Sequence, residues 1–135
     1  MNFQGLMTMK NNKEIILYIL FGVLTTFVNI TTFLLFETLL NYKVANIIAF
    51  IISIFFAYIT NKLYVFESRK TASKYVMLEL INFFISRIVT FLIDILLMIL
   101  LVEILDINSL QSKFFVNIIV IVLNYIISKR VVFKN

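Results

Sequence analysis

YVMLELINFFISRIVTFLIDILLMILLVE, residues 75–103, is apolar almost from end to end, yet it carries Arg87 and Asp94 within it. About 20 predominantly apolar residues suffice for a helix to cross the hydrocarbon core of a bilayer. This stretch is therefore read as a membrane span. A charge at membrane depth costs at least about 2.5–3.5 kcal/mol on insertion scales, so such side chains face a partner, a cavity or a substrate. Arg87 and Asp94 are seven residues apart. At about 100° per residue they return to one helix face, about 10 Å apart along the axis. A charged stripe on a spanning helix points to a membrane protein that handles something polar.

The rest of the 135-residue chain agrees. It is 62% hydrophobic and 14% charged, with a mean hydropathy of +1.05. Soluble domains hold about 45–50% apolar and about 25% charged residues. One small integral membrane domain is expected, with little material outside the bilayer. Cysteine and histidine are both absent, which removes disulfides, thiol chemistry and the commonest metal ligand and general base. Proline is absent and glycine occurs twice, so unbroken helices are expected. There is no nucleophile–base pairing, no glycine-rich phosphate loop and no metal-ligand cluster. Catalysis, a metal and a bound cofactor are therefore not expected. The basic residues cluster at helix ends and not on one soluble face, so nucleic acid is rejected as a partner.

Apolar runs place four spans at about 14–36, 44–63, 76–102 and 112–129. Residues 1–13 read as a short cytoplasmic tail or interfacial helix. The first span lacks a small-residue cleavage site and is too long for a signal peptide. Lys10, Lys13, Lys62, Arg69, Lys70, Lys74, Lys129, Arg130 and Lys134 fall at the two termini and the central loop. Only Lys43 and Lys113 fall at the two opposite loops. Positive charge marks the cytoplasmic side, so both termini are expected there.

AYITNKLYVF (57–66) and NYIISKRVVF (124–133) share Tyr, Ile, Lys, Val and Phe at a fixed offset of 67. Asn29 stands loosely opposite Asp94. The chain therefore reads as two repeated helical hairpins of like orientation. Interfacial anchoring by aromatic and lysine residues is the other explanation. Helical spacing groups Gly22, Thr25, Thr26 and Asn29 on the first span. It groups Asn46, Ser53, Ala57 and Asn61 on the second, Arg87, Thr90 and Asp94 on the third, and Lys113, Asn117, Asn124 and Ser128 on the fourth. Converging stripes would line a polar interior, or would bind helix to helix by hydrogen bonds. Arg87 is the candidate anion ligand, because a guanidinium stays charged and offers a planar fork suited to phosphate. Asp94 would orient that guanidinium or form a structural pair with it. Lys62 and Lys129 would gather a phosphate at the cytoplasmic boundary, while Tyr64, Phe66 and Phe133 pack on a lipid chain. Lys113 would receive the phosphate at the outer mouth, or snorkel as an interfacial lysine.

At YILFGVLTTFVN, NKLYVF, FFISRIVTFLID and NYIISKRVVF the chain resembles the GtrA-like membrane proteins. It is most similar to the Gram-positive branch linked to teichoic-acid glycosylation. The resemblance covers about residues 14–133. It implies a multi-pass protein of the cell membrane that moves a monosaccharide on undecaprenyl phosphate from the inner to the outer leaflet. Membrane glycosyltransferases would make and use that lipid. By resemblance the functional positions are Ala57, Asn61, Val65 and Phe66, then Phe83, Arg87 and Asp94, then Lys113 and Asn124. The lipid head is expected to pass from Lys62 and Lys129 by Arg87 to Lys113, with its tail left in lipid. Four short helices make a thin bundle, so a homodimer with a shared groove is expected. Two other readings compete: a non-transporting assembly subunit for a glycosyltransferase, and a small multidrug exporter. The exporter needs a carboxylate deep in its first span, and here Glu14 and Glu37 stand at the ends.

Overall fold

The computed structural model describes residues 3–134. Met1 and Asn2, at the head of the expected tail, and Asn135 lie outside the described residues. Helices and no strand are found among those described. The chain divides into two units, Met1–Ser68 and Arg69–Asn135.

The first unit holds α1 (Phe3–Glu37) and α2 (Tyr42–Thr60). With no proline, every backbone N–H is available to the helical ladder. At about 1.5 Å per residue α1 is about 50 Å long, well beyond the roughly 30 Å of hydrocarbon. Its polar start is thus helical and continuous with the span, where hydropathy alone begins the span near Glu14. Asn41 stops the connecting loop and starts α2: its side chain accepts from the Val44 N–H at 2.9 Å, an ordinary N-cap. The seam between α1 and α2 is a ridge of small residues on α2. Ala45 and Ala49 are fully enclosed and Ser53 is buried. Small side chains let two backbones approach closely where lipid supplies no hydrophobic drive. Asn29 of α1 donates from Nδ2 to Ser53 Oγ at 3.2 Å, which fixes the register of the seam.

The second unit holds α3 (Ser73–Ile99) and α4 (Ser109–Ile127). Asn108 caps α4 by accepting from the Leu110 N–H at 2.8 Å. On α4, Ser112 and Val116 are fully enclosed, 67 positions after Ala45 and Ala49. On α3, Glu79, Phe83, Ser86 and Thr90 are buried.

Three helices do not end as α-helices. The chain continues from α2 through Asn61–Val65, from α3 through Leu100–Ile104 and from α4 through Ser128–Val132 as single π-helical turns. Each is closed by a bond five residues back: Phe66 N–H to Asn61 O at 2.8 Å, Leu105 to Leu100 at 3.0 Å and Phe133 to Ser128 at 2.8 Å. The first two turns exit through left-handed residues, Glu67 (φ 48°) and Asp106 (φ 54°). There Ser68 and Ile107 bond six residues back, to Lys62 and Leu101. That closure is one residue wider than a Schellman cap. The absence of proline thus kept the helix bodies whole but not their ends.

Among the described residues, four helices are long and apolar enough to cross a membrane: Phe3–Glu37, Tyr42–Val65, Ser73–Ile104 and Ser109–Val132. Their outward faces carry large apolar side chains such as Ile16, Phe27, Leu96 and Phe114. Lipid tails are as apolar as these groups, so their exposure to lipid costs nothing.

Candidate functional site

Within the second unit, Arg87 lies about 21 Å along α3 from Ser73, near the middle of the helix and its extension. Its side chain is half-buried. The guanidinium carbon stands 4.2 Å from the centroid of the Phe83 ring, and Nη1 is fully enclosed. Cation–π contact of this kind strengthens where water is excluded. Phe83 is itself completely buried and meets Phe133 at 6.0 Å between ring centroids. Phe133 is the residue that closes the π turn of α4. The turn, the ring pair and the guanidinium thus form one support, with each member fixing the next.

Asp94 does not orient Arg87. Among the described residues its carboxylate is held by Lys113, whose Nζ donates to both oxygens at 3.1 and 3.0 Å. The side chains are 49% exposed for Lys113 and 19% for Asp94. Two turns of helix separate Arg87 from Asp94, whereas α4 begins beside the Asp94 end of α3 and brings Lys113 within reach. The lysine nominated as an outer receiver is thus one half of an ion pair.

The boundary residues divide in a similar way. Lys62 Nζ donates to Ser68 Oγ at 3.2 Å, inside its own exit turn. Lys129 Nζ lies 3.5 Å from the Tyr125 hydroxyl and 5.7 Å from the centre of that ring. Phe66 and Phe133 are buried, so they do not offer a face to a lipid chain as expected. Each packs inward instead, Phe66 on Tyr18 at 6.2 Å and Phe133 on Phe83. Tyr64 is exposed and stacks on Phe21 at 5.4 Å. Asn61 and Val65 are buried within the π turn of α2, and Ala57 is half-buried one turn earlier.

The polar stripes are only partly inward. Thr25, Asn29, Ser53, Asn61, Thr90, Asn124 and Ser128 are buried or half-buried, but Gly22, Thr26, Asn46 and Asn117 are exposed. Thr25 and Thr26 donate to carbonyls of their own helix, Phe21 O and Gly22 O, which satisfies each hydroxyl without a partner helix. Two buried oxygens, Asn124 Oδ1 on α4 and Ser128 Oγ at the start of its π turn, have no hydrogen-bond partner among the described residues. Buried polar atoms are rarely left so, and these two mark where a water or a ligand hydroxyl would be received. Glu14 and Glu79 were missed as interior residues, yet both are buried. Each stands four residues before its buried aromatic, Tyr18 or Phe83, a repeated spacing that the sequence does display.

These features define a small integral membrane protein with four apolar helices and a positive charge supported inside one of them. The chain belongs to the GtrA/DPMS transmembrane-domain family, whose model matches residues 17–133. It is 48% identical over 123 residues to the cell wall teichoic acid glycosylation protein GtcA of Listeria monocytogenes, covering 90% of this chain and 85% of that one. The GtcA protein of Listeria innocua is 44% identical over 126 residues, covering 92% and 87%. The uncharacterized membrane protein YwcD of Bacillus subtilis is 42% identical over 120 residues, covering 87% and 94%. No solved structure matches the chain.

Proposed function

We propose that this protein moves a polyprenyl-phosphate-linked monosaccharide from the inner to the outer leaflet of the cell membrane, for glycosylation of cell-wall teichoic acid. The observation that carries the reading is Arg87: a permanently charged group at mid-depth in an apolar helix, supported from behind by Phe83. A prenyl-phosphate sugar has one anionic phosphodiester, a polar ring and a long apolar tail. Only its head needs shelter during the crossing. A guanidinium suits the phosphate, and Asn124 and Ser128 suit sugar hydroxyls. The names of the Listeria relatives support teichoic acid as the acceptor, and the match to a transmembrane-domain family supports a role within the membrane.

In this reading 14–133 is one four-helix membrane domain, made of two hairpins in the same orientation with both termini cytoplasmic. The like placement of the two π turns, at Asn61–Val65 and Ser128–Val132, supports the repeat. The nine basic residues at the termini and central loop support the orientation. Membrane glycosyltransferases load and unload the lipid. Two copies share a groove. In cells, Arg87→Ala abolishes sugar on the teichoic acid while membrane levels of the protein stay unchanged. Normal glycosylation in that variant overturns the assignment of Arg87 as the phosphate ligand.

A further inference from the structure

In the first unit a cavity of about 400 Å³ opens between the start of α1 and the exit turn of α2. Lys10, Lys13 and Glu14 line it from α1, and Tyr64, Phe66 and Glu67 line it from the turn. Its size lies in the range of small-ligand sites. Lys10 and Lys13 are exposed, and neither side chain makes a hydrogen bond or ion pair among the described residues. They belong to the polar start of α1, a helix longer than the hydrocarbon thickness, and with the apolar part of α1 in the bilayer their ammonium groups would fall at headgroup depth. Lys62 and Lys129, the lysines that the sequence offers for a phosphate at this boundary, already donate to Ser68 and to Tyr125.

A second cavity, of about 300 Å³, lies further along α1. It is lined by Leu24, Phe27, Val28, Thr31, Thr32 and Phe56, mostly apolar. Leu17 of the first cavity, Leu24 and Thr31 recur every seven residues, which places both cavities on one flank of α1. From Lys13 to Val28 the rise along the helix is about 22 Å. A charged mouth followed by an apolar trough on the same flank is the outline of an amphiphile with a long tail.

We infer that the cavity at Lys10, Lys13 and Glu67 is where the phosphate-linked sugar head is first taken up, with the isoprenoid tail running along Leu24 and Val28. This rests on the function proposed above and adds a site to it. Lys10 and Lys13 hold the phosphodiester by charge-assisted hydrogen bonds. Glu67 is exposed on the opposite wall and accepts from sugar hydroxyls. The exposed Tyr64 ring supplies a flat wall, stiffened by its stack on Phe21.

The test uses the full chain in phosphatidylcholine nanodiscs, with farnesyl-phosphoryl-glucose, -galactose and -N-acetylglucosamine as radiolabelled probes. At least one probe binds the unaltered protein. Lys10→Ala with Lys13→Ala weakens that binding tenfold or more, and arginine at both positions retains it. Glu67→Gln weakens binding of the sugar-bearing probe but not of farnesyl phosphate. Leu24→Trp weakens the farnesyl probe and spares a single-isoprene analogue. If the unaltered protein binds none of the probes, the transport reading itself fails. If it binds and the double alanine variant binds equally well, this site is refuted while the transport reading stands. Equal competition by phosphatidylglycerol would also refute it, because the lysines would then attract any anionic lipid. Equal competition by free glucose 1-phosphate would refute the role of the trough.

Discussion

The Asp94–Lys113 pair separates a structural role for Lys113 from a role in handling phosphate. The pair is short, with Nζ 3.0 Å from Oδ2, but its lysine side chain is 49% exposed. Exposed ion pairs contribute about 0.2–1 kcal/mol, because water screens the charges and two side chains lose freedom. The carboxylate is better covered, so the upper end of that range applies, about 1 kcal/mol. Asp94→Asn combined with Lys113→Gln removes both charges and leaves no unmatched group behind. Thermal unfolding in detergent should then shift only slightly. Transport of a labelled prenyl-phosphate sugar into liposomes should nevertheless be lost, because no ammonium remains at that end of α3. Asp94→Asn alone, which releases Lys113, should keep transport. If the doubly neutral variant transports as well as the unaltered protein, Lys113 serves only to balance Asp94 and the reasoning fails.

Two further outcomes test the architecture. Ala49→Leu forces a larger side chain into a fully enclosed seam position. It should destabilise the α1–α2 hairpin by about 1–3 kcal/mol, as overpacking does, read as a lower unfolding midpoint in detergent. Asp106→Gly removes a side chain from a left-handed residue at φ 54°. Such conformations cost an L-residue roughly 1–2 kcal/mol, so the variant should unfold at a higher temperature, offset in part by the greater freedom of glycine when unfolded.

Much of the fold was legible in the sequence because membrane spans announce themselves by apolar length. Boundaries were less so. Residues 3–13 are too polar for a span, yet nothing in them breaks a helix, and α1 runs through. Polarity marks some inward positions, such as Ser53, Asn61, Thr90 and Ser128, but at Ala45 and Ala49 size decides instead. In the first unit Ala45 and not Asn46 is enclosed, and in the second unit Ser112 and Val116 are enclosed and not Asn117. In lipid there is no penalty for an outward apolar residue, so small side chains decide which face packs. Phe66 and Phe133 looked like lipid anchors because aromatic residues gather at interfaces. The π turns swing them inward onto Tyr18 and Phe83, and no residue pattern marked those turns in advance. Arg87 was legible because a charge in oil is rare. Its support by Phe83, one helical turn away, was present in the spacing. The partner of Asp94 was not, since it comes from another helix.

The central claim is that Arg87 holds the phosphate of a lipid-linked sugar at mid-depth. The direct measurement is transbilayer movement of a labelled undecaprenyl-phosphate sugar in liposomes holding only this purified protein. The unaltered chain should move the probe, Arg87→Ala should reduce movement to the protein-free rate, and both should remain helical and inserted. Undiminished movement by the alanine variant would contradict the account, as would an unaltered chain that moves nothing.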